Sequence, residues 1–204
     1  MKLSVWTIVL GVLGPLTGAL IAIYGETVKH RLLGPKLHLD FKPGDGLCIV
    51  DLQEAPNSPQ CRWARISVIN CGRTFLRQCQ GFITNIEQEH GITWVKTSPQ
   101  FVDPLVLEWA ALNDDVKFKA RDIPRKIQFF INVLASVDNR TENGDTLGLS
   151  VEHLPKRLED NTPFAPRYRY RVTITVVADQ IKPKNIQVVV NWNGTWKFDV
   201  AKCV

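Results

Sequence analysis

Two groups of basic residues are spaced so that they could do chemistry. Arg167, Arg169 and Arg171 alternate with Tyr168, Tyr170 and Val172, so an extended chain projects three guanidinium groups from one sheet face. Lys117, Lys119, Arg121, Arg125 and Lys126 form a second group, straddling a predicted turn at Asp122-Ile123-Pro124. Set side by side, the two ridges would hold phosphates, carboxylates or lipid head groups, which arginine reads with paired hydrogen bonds. The plainer reading is a solvated sheet face whose arginines block edge pairing. Tyr168 and Tyr170, on the opposite face, are expected in the core.

No other reactive pattern is legible. His30, His38, His90 and His153 are scattered, never spaced i, i+3 or i+4, and HExxH is absent. His38 reads as a surface or edge residue. There is no GxSxG elbow, Walker loop or GxGxxG fingerprint. Asp114-Asp115, Glu87 and Glu89 fall at predicted turns or strand ends, where solvation explains them. The sequence therefore predicts no catalytic residue, no metal and no cofactor, and reads as a non-enzyme.

The five cysteines, Cys48, Cys61, Cys71, Cys79 and Cys203, are odd in number and contain no CxxC pair. That excludes a disulfide framework and a zinc site. Buried free thiols in a reducing compartment are one reading; a Cys71–Cys79 bridge remains open if the domain lies outside the cytoplasm. Trp63, Trp94, Trp109, Trp192 and Trp196 read as structural. Trp192 and Trp196 flank a closing hairpin at Asn193-Gly194-Thr195, and one of them should plug the core.

The elements that must position these groups begin with an anchor. Residues 3–25 read LSVWTIVLGVLGPLTGALIAIYG without a charge, and about 20 apolar residues span a bilayer core. Trp6 and Tyr24 would sit at the two interfaces. A cleaved signal peptide is the rival, with a shorter apolar run and small residues at its cleavage site. Gly14, Gly18 and Ala22 share one helix face, a spacing that lets helices approach closely and predicts self-association or a partner helix. Pro15 should kink or loosen the span. Residues 1–36 hold Lys2, Lys29, Arg31 and Lys36 against Glu26, while the other 21 basic and 19 acidic residues nearly cancel in a chain of net charge +5. This distribution favours anionic lipid head groups over general nucleic-acid binding, and places the C-terminal part in the cytoplasm.

After the anchor, residues 26–33 should continue the helix until Gly34-Pro35 stops it. From there the hydrophobic period is two. Strands are expected at 36–41, 47–52, 62–69, 79–88, 92–96, 105–110, 116–120, 126–135, 147–152, 168–178, 186–192 and 195–201. The organisation is thus residues 1–33 as transmembrane and juxtamembrane helix, and 34–204 as an antiparallel β-sandwich.

Three stretches resemble the immunoglobulin-like sandwich domains of membrane-anchored prokaryotic proteins. They are Val68-Ile-Asn-Cys-Gly-Arg73 leading to Cys79, Leu107-Glu-Trp109 followed by Asp122-Ile-Pro124, and Tyr170–Val176 with Val190–Trp196. The resemblance covers residues 60–200 loosely. It implies a binding or interaction module and carries over no functional residue. The expected function is a tethered, single-pass module binding a partner protein or an anionic ligand at the membrane surface, as a sensor–effector with an oligomeric helix. An extracytoplasmic envelope or adhesion component is the second reading, and a membrane-bound hydrolase or transferase the third.

Overall fold

The computed structural model describes residues 33–44, 46–53, 58–97, 104–110, 113, 115–138, 145–152, 164–179 and 181–203, with positions 18, 19, 24, 25 and 29. His30, His153, Asp114 and most of the expected span, including Trp6, Gly14, Pro15 and Ala22, lie outside them. Among the described residues, no helix is long and apolar enough to cross a membrane.

Among the described residues, the β-branched, alternating segments form thirteen strands in two antiparallel sheets, the arrangement of a β-sandwich. In the first sheet β3 (Cys61–Asn70) pairs with β9 (Gln128–Val137). The free side of β3 is tiled end to end by β1 (Leu37–Asp40) and β2 (Ile49–Leu52). That of β9 is tiled by β7 (Glu108–Trp109) and β10 (Thr146–Leu149). The second sheet runs β13 (Asp199–Lys202), β12 (Lys184–Trp192), β11 (Tyr168–Val177), β4 (Leu76–His90). Along the outer side of β4 lie β8 (Arg121–Ile123), β6 (Leu105–Val106) and β5 (Thr93–Lys96) in turn.

Period-two alternation turns one face of each long strand inward. Ile66, Val68 and Ile131 of the first sheet join Ile83, Val172 and Ile174 of the second in one cluster, each without solvent exposure. Burying each such side chain stabilises the fold by about 1.5–3 kcal/mol. A Cβ built at Gly81 would lie 2.6 Å from Ile131 Cδ1, so bare backbone here lets the sheets approach. Tyr170 is fully buried, as expected, but Tyr168 is 45% exposed at the first position of β11 and is not in the core. The Tyr170 hydroxyl donates to the Ala165 carbonyl (3.0 Å) and accepts the Ala165 N–H (2.5 Å). Phe164 packs edge-on against its ring at 4.9 Å.

Three expected elements need correction. Residues 116–120 are a turn, not a strand: the Asn113 carbonyl accepts the N–H groups of both Val116 and Lys117, which curls the chain. The expected turn at Asp122 instead belongs to β8, because Arg121 and Ile123 find the open edge of β4 opposite Cys79 and Leu76. The expected strand 105–110 is also divided. Leu107 donates its N–H to Gly81 and bridges Val151, and the chain crosses there from the second sheet to the first.

Candidate functional site

The arginine ridge is compensated by its own sheet. Register places Arg171 opposite Glu87 on β4, and Arg171 Nε donates to Glu87 Oε2 at 2.6 Å. One position along, Arg169 Nη1 donates to both oxygens of Glu89 at 2.9 and 3.0 Å. The hydrogen bond from Arg171 holds the Glu87 carboxyl below the usual carboxylate range, and Glu87 in turn raises Arg171. Arg171 also lies 4.8 Å from the Trp94 ring centre. Glu87 and Glu89, expected as solvated strand ends, are therefore the partners of the ridge. Arg167 stands apart: it precedes the strand with φ +73° and donates its N–H to the Trp192 carbonyl.

The second group is spread rather than gathered. Lys117 and Lys119 sit on the turn after Asn113, with Lys117 Nζ 5.3 Å from the Phe118 ring. Arg125 and Lys126 are exposed on the turn between β8 and β9, Lys126 at φ +61°. The two ridges do not adjoin. Arg121 pairs at Cys79 and Arg171 at Glu87, and the eight residues between those positions span about 26 Å of strand.

Arg121 differs from every other basic residue of the two groups. From β8 its side chain reaches across the sandwich edge to the first sheet, where its guanidinium carbon lies 3.9 Å from the Phe129 ring centre and 5.6 Å from that of Trp109. Among the described residues, Arg121 Nε and Nη1 are buried without an acceptor, and so is Nε1 of Trp109. Trp109 is only 1% exposed. Burial pushes Arg121 below its ordinary value and the neighbouring Cys79 thiol up to about 12. The aromatic faces offset part of the cost of desolvating the cation. They leave the buried N–H donors of Arg121 and Trp109 in one neighbourhood, with no carboxylate bonded to them among the described residues. Trp109 and Phe129 carry no local sequence signal for this role, because they meet Arg121 only through the pairing of distant strands.

A different kind of centre lies where the chain enters the domain. Asn70, with no solvent exposure, donates from Nδ2 to the carbonyls of Thr74 (2.7 Å) and Ile123 (3.0 Å). Its Oδ1 accepts the N–H groups of Gly72 (3.0 Å) and Lys36 (3.3 Å). All four hydrogen-bonding positions of the amide are used. The Val68-x-Asn70-x-Gly72 stretch thus ties the incoming segment to two turns.

The remaining candidates fall into place around these centres. None of the five cysteines is joined in a disulfide: Cys48 and Cys79 are buried, Cys61 and Cys203 half-buried, and Cys71 exposed. His38 and His90 are exposed, and among the described residues no cluster of His, Cys, Asp or Glu could hold a metal. Trp192 is buried and Trp196 half-buried, so Trp192 is the plug. At Gly18 nothing among the described residues lies within 4 Å of a built Cβ. An open groove of about 490 Å³ between β1 and β12 is lined by His38, Lys184, Gln187, Lys202 and Cys203. Lys202 is already bonded to Asp40. No family model matches this chain, and a search of curated proteins finds no significant match.

Proposed function

We propose that the chain is a membrane-tethered, immunoglobulin-like sandwich module that binds an anionic group at the edge between β7 and β8. The carrying observation is Arg121, a cation with two buried nitrogens that have no acceptor, beside the equally unpartnered Trp109 Nε1. A buried donor without an acceptor costs about 1–3 kcal/mol, and more when charged, which a bound carboxylate or phosphate oxygen would recover. The paired arginines of β11 are not part of this site: Glu87 and Glu89 already compensate their charge, in surface pairs of a kind that contributes about 0–1 kcal/mol.

Strand order supports the immunoglobulin-like reading. With β1, β3, β9 and β7 as strands A, B, E and D, and β12, β11, β4 and β5 as G, F, C and C′, chain order and neighbours both agree with that fold. The Tyr170–Ala165 bonds occupy the place of its tyrosine corner at the start of strand F. Tethering rests on the uncharged run 3–25, and the positive charges after it favour a cytoplasmic domain.

The test is thermal unfolding of the full chain in detergent with millimolar inorganic phosphate, sulfate or acetate, against chloride at equal ionic strength. The expected result is a raised midpoint that Arg121→Gln abolishes and Arg169→Gln leaves intact. An unchanged midpoint with all three anions, or an equal rise in the Arg121→Gln variant, overturns the site.

A further inference from the structure

We infer that the end of the sandwich at which the N-terminal segment enters is a docking face for an anionic lipid leaflet, an inference that rests on the tethered reading above. Three connections meet at this end: the turn 71–75 between β3 and β4, the turn 124–127 between β8 and β9, and residues 178–179 and 181–183 between β11 and β12. Asn70 holds the first two to the entering chain, and the Asp179 N–H donates to the Arg77 carbonyl, which holds the third.

Two large apolar side chains stand out of this end: Phe75 is 54% exposed and Ile127 46%. Around them are the exposed side chains of Lys36, Arg73, Arg77, Arg125, Lys126 and Lys182. The acidic residues at the same end are Asp179 and Asp122, and an oxygen of Asp122 accepts the Gln78 N–H. Apolar tips inside a basic ring match the interfacial region of a charged bilayer, where rings enter the head groups and each Lys or Arg contributes about 1 kcal/mol.

The connection to the anchor leaves little slack. Gly34 and Pro35 are buried against Gly72, the Lys36 carbonyl accepts the Cys71 N–H, and the Gly34 carbonyl accepts the Arg73 N–H. Only seven residues, 26–32, separate the uncharged run that ends at Gly25 from Leu33. Even fully extended, so short a link spans about 26–29 Å. It keeps this end of the sandwich, with its basic ring, close to the head groups of the leaflet that the run enters. A lipid surface is therefore favoured over a soluble partner: the entering segment brings this face to the bilayer before any other.

Cys71, exposed at this end, is the reporter. In the full chain carrying Cys61→Ser and Cys203→Ser, it is labelled with an environment-sensitive fluorophore while Cys48 and Cys79 stay buried. The protein is reconstituted into vesicles of phosphatidylcholine alone, or with about one-third phosphatidylserine. The readouts are flotation and quenching by head-group nitroxide lipid. The expected result is strong quenching only with phosphatidylserine, with the docked fraction falling about tenfold or more in the Arg77→Glu/Arg125→Glu variant. Flotation with both vesicle types but no quenching, or quenching that ignores lipid charge and the substitutions, overturns the docking face and leaves the anchor standing. Flotation and quenching with phosphatidylserine alone remove the anchor and uphold the docking face. Flotation with neither overturns both.

Discussion

The side-chain carbonyl of Asn70 accepts the backbone N–H of Lys36 at 3.3 Å, joining the end of β3 to the segment that enters the domain. The same amide supports two further turns, so it is the junction on which that end depends. Asn70→Asp removes both donors and sets a carboxylate against two carbonyl oxygens. A loss of about 2–4 kcal/mol is expected in denaturant unfolding, with Asn70→Ala in the same range. A loss below about 0.5 kcal/mol for both would show that the turns hold without it.

Gly72 and Gly81 should respond differently to the same change. A Cβ at Gly72 would lie 2.4 Å from the Gly34 carbonyl oxygen and 2.5 Å from the Lys36 nitrogen, both backbone atoms. A Cβ at Gly81 meets only the far end of Ile131. Gly72→Ala is expected to cost about 3 kcal/mol or more, and Gly81→Ala about 1–2 kcal/mol. Ile131→Val should recover part of the second loss and none of the first, as a double-mutant cycle would measure.

Tyr170→Phe keeps the ring against Phe164 but strands the N–H and carbonyl of Ala165. A loss of about 1–2 kcal/mol is expected. Burial raises the Tyr170 hydroxyl above its ordinary value. The folded state therefore holds this proton longer than the unfolded chain. Its contribution is complete below about pH 10 and falls as pH rises further. In Tyr170→Phe that alkaline slope should diminish in unfolding curves recorded between pH 9 and 11.

Acid acts in the opposite sense. Hydrogen bonds from Arg171, Arg62 and Lys202 hold Glu87, Asp51 and Asp40 below their ordinary values. The unfolded chain takes up these protons first as pH falls. The stability they lend is present above about pH 4.5 and is lost as pH falls through the folded values. These are surface pairs, so each should count for about 1 kcal/mol or less. Glu87→Gln should flatten the acid limb of the stability curve without moving the alkaline one.

Alternation carried most of the fold, because a half-buried strand must show it. The expected strand 62–69 falls within β3, and 168–178 covers β11 and runs one residue past it. It failed at Val116–Lys119, where the alternating pattern met no partner strand and the Asn113 carbonyl closed a turn instead. The site was legible in one half only. Arg121 was among the basic candidates, but Trp109 and Phe129 become its neighbours only through strands far apart in sequence. Likewise the pairing of Arg169 and Arg171 with Glu89 and Glu87 depends on the register of β4 against β11. The Asn and Gly of the Val68–Gly72 stretch were noticed as a pattern; the bonds that give it meaning reach back to Lys36 and forward to Ile123.

The tiling of the outer strands bears on how two copies of this domain could meet. Along β3, β9 and β4 the free side is filled by short pieces that each end within a few residues, and β13 is four residues long and carries Asp199 and Lys202. A neighbouring molecule finds no long ribbon of unpaired backbone among these borders on which to template a further strand. Crowding on a membrane raises local concentration and with it the hazard of fibril-like stacking. In the tethered arrangement proposed above, these interrupted borders would resist such stacking.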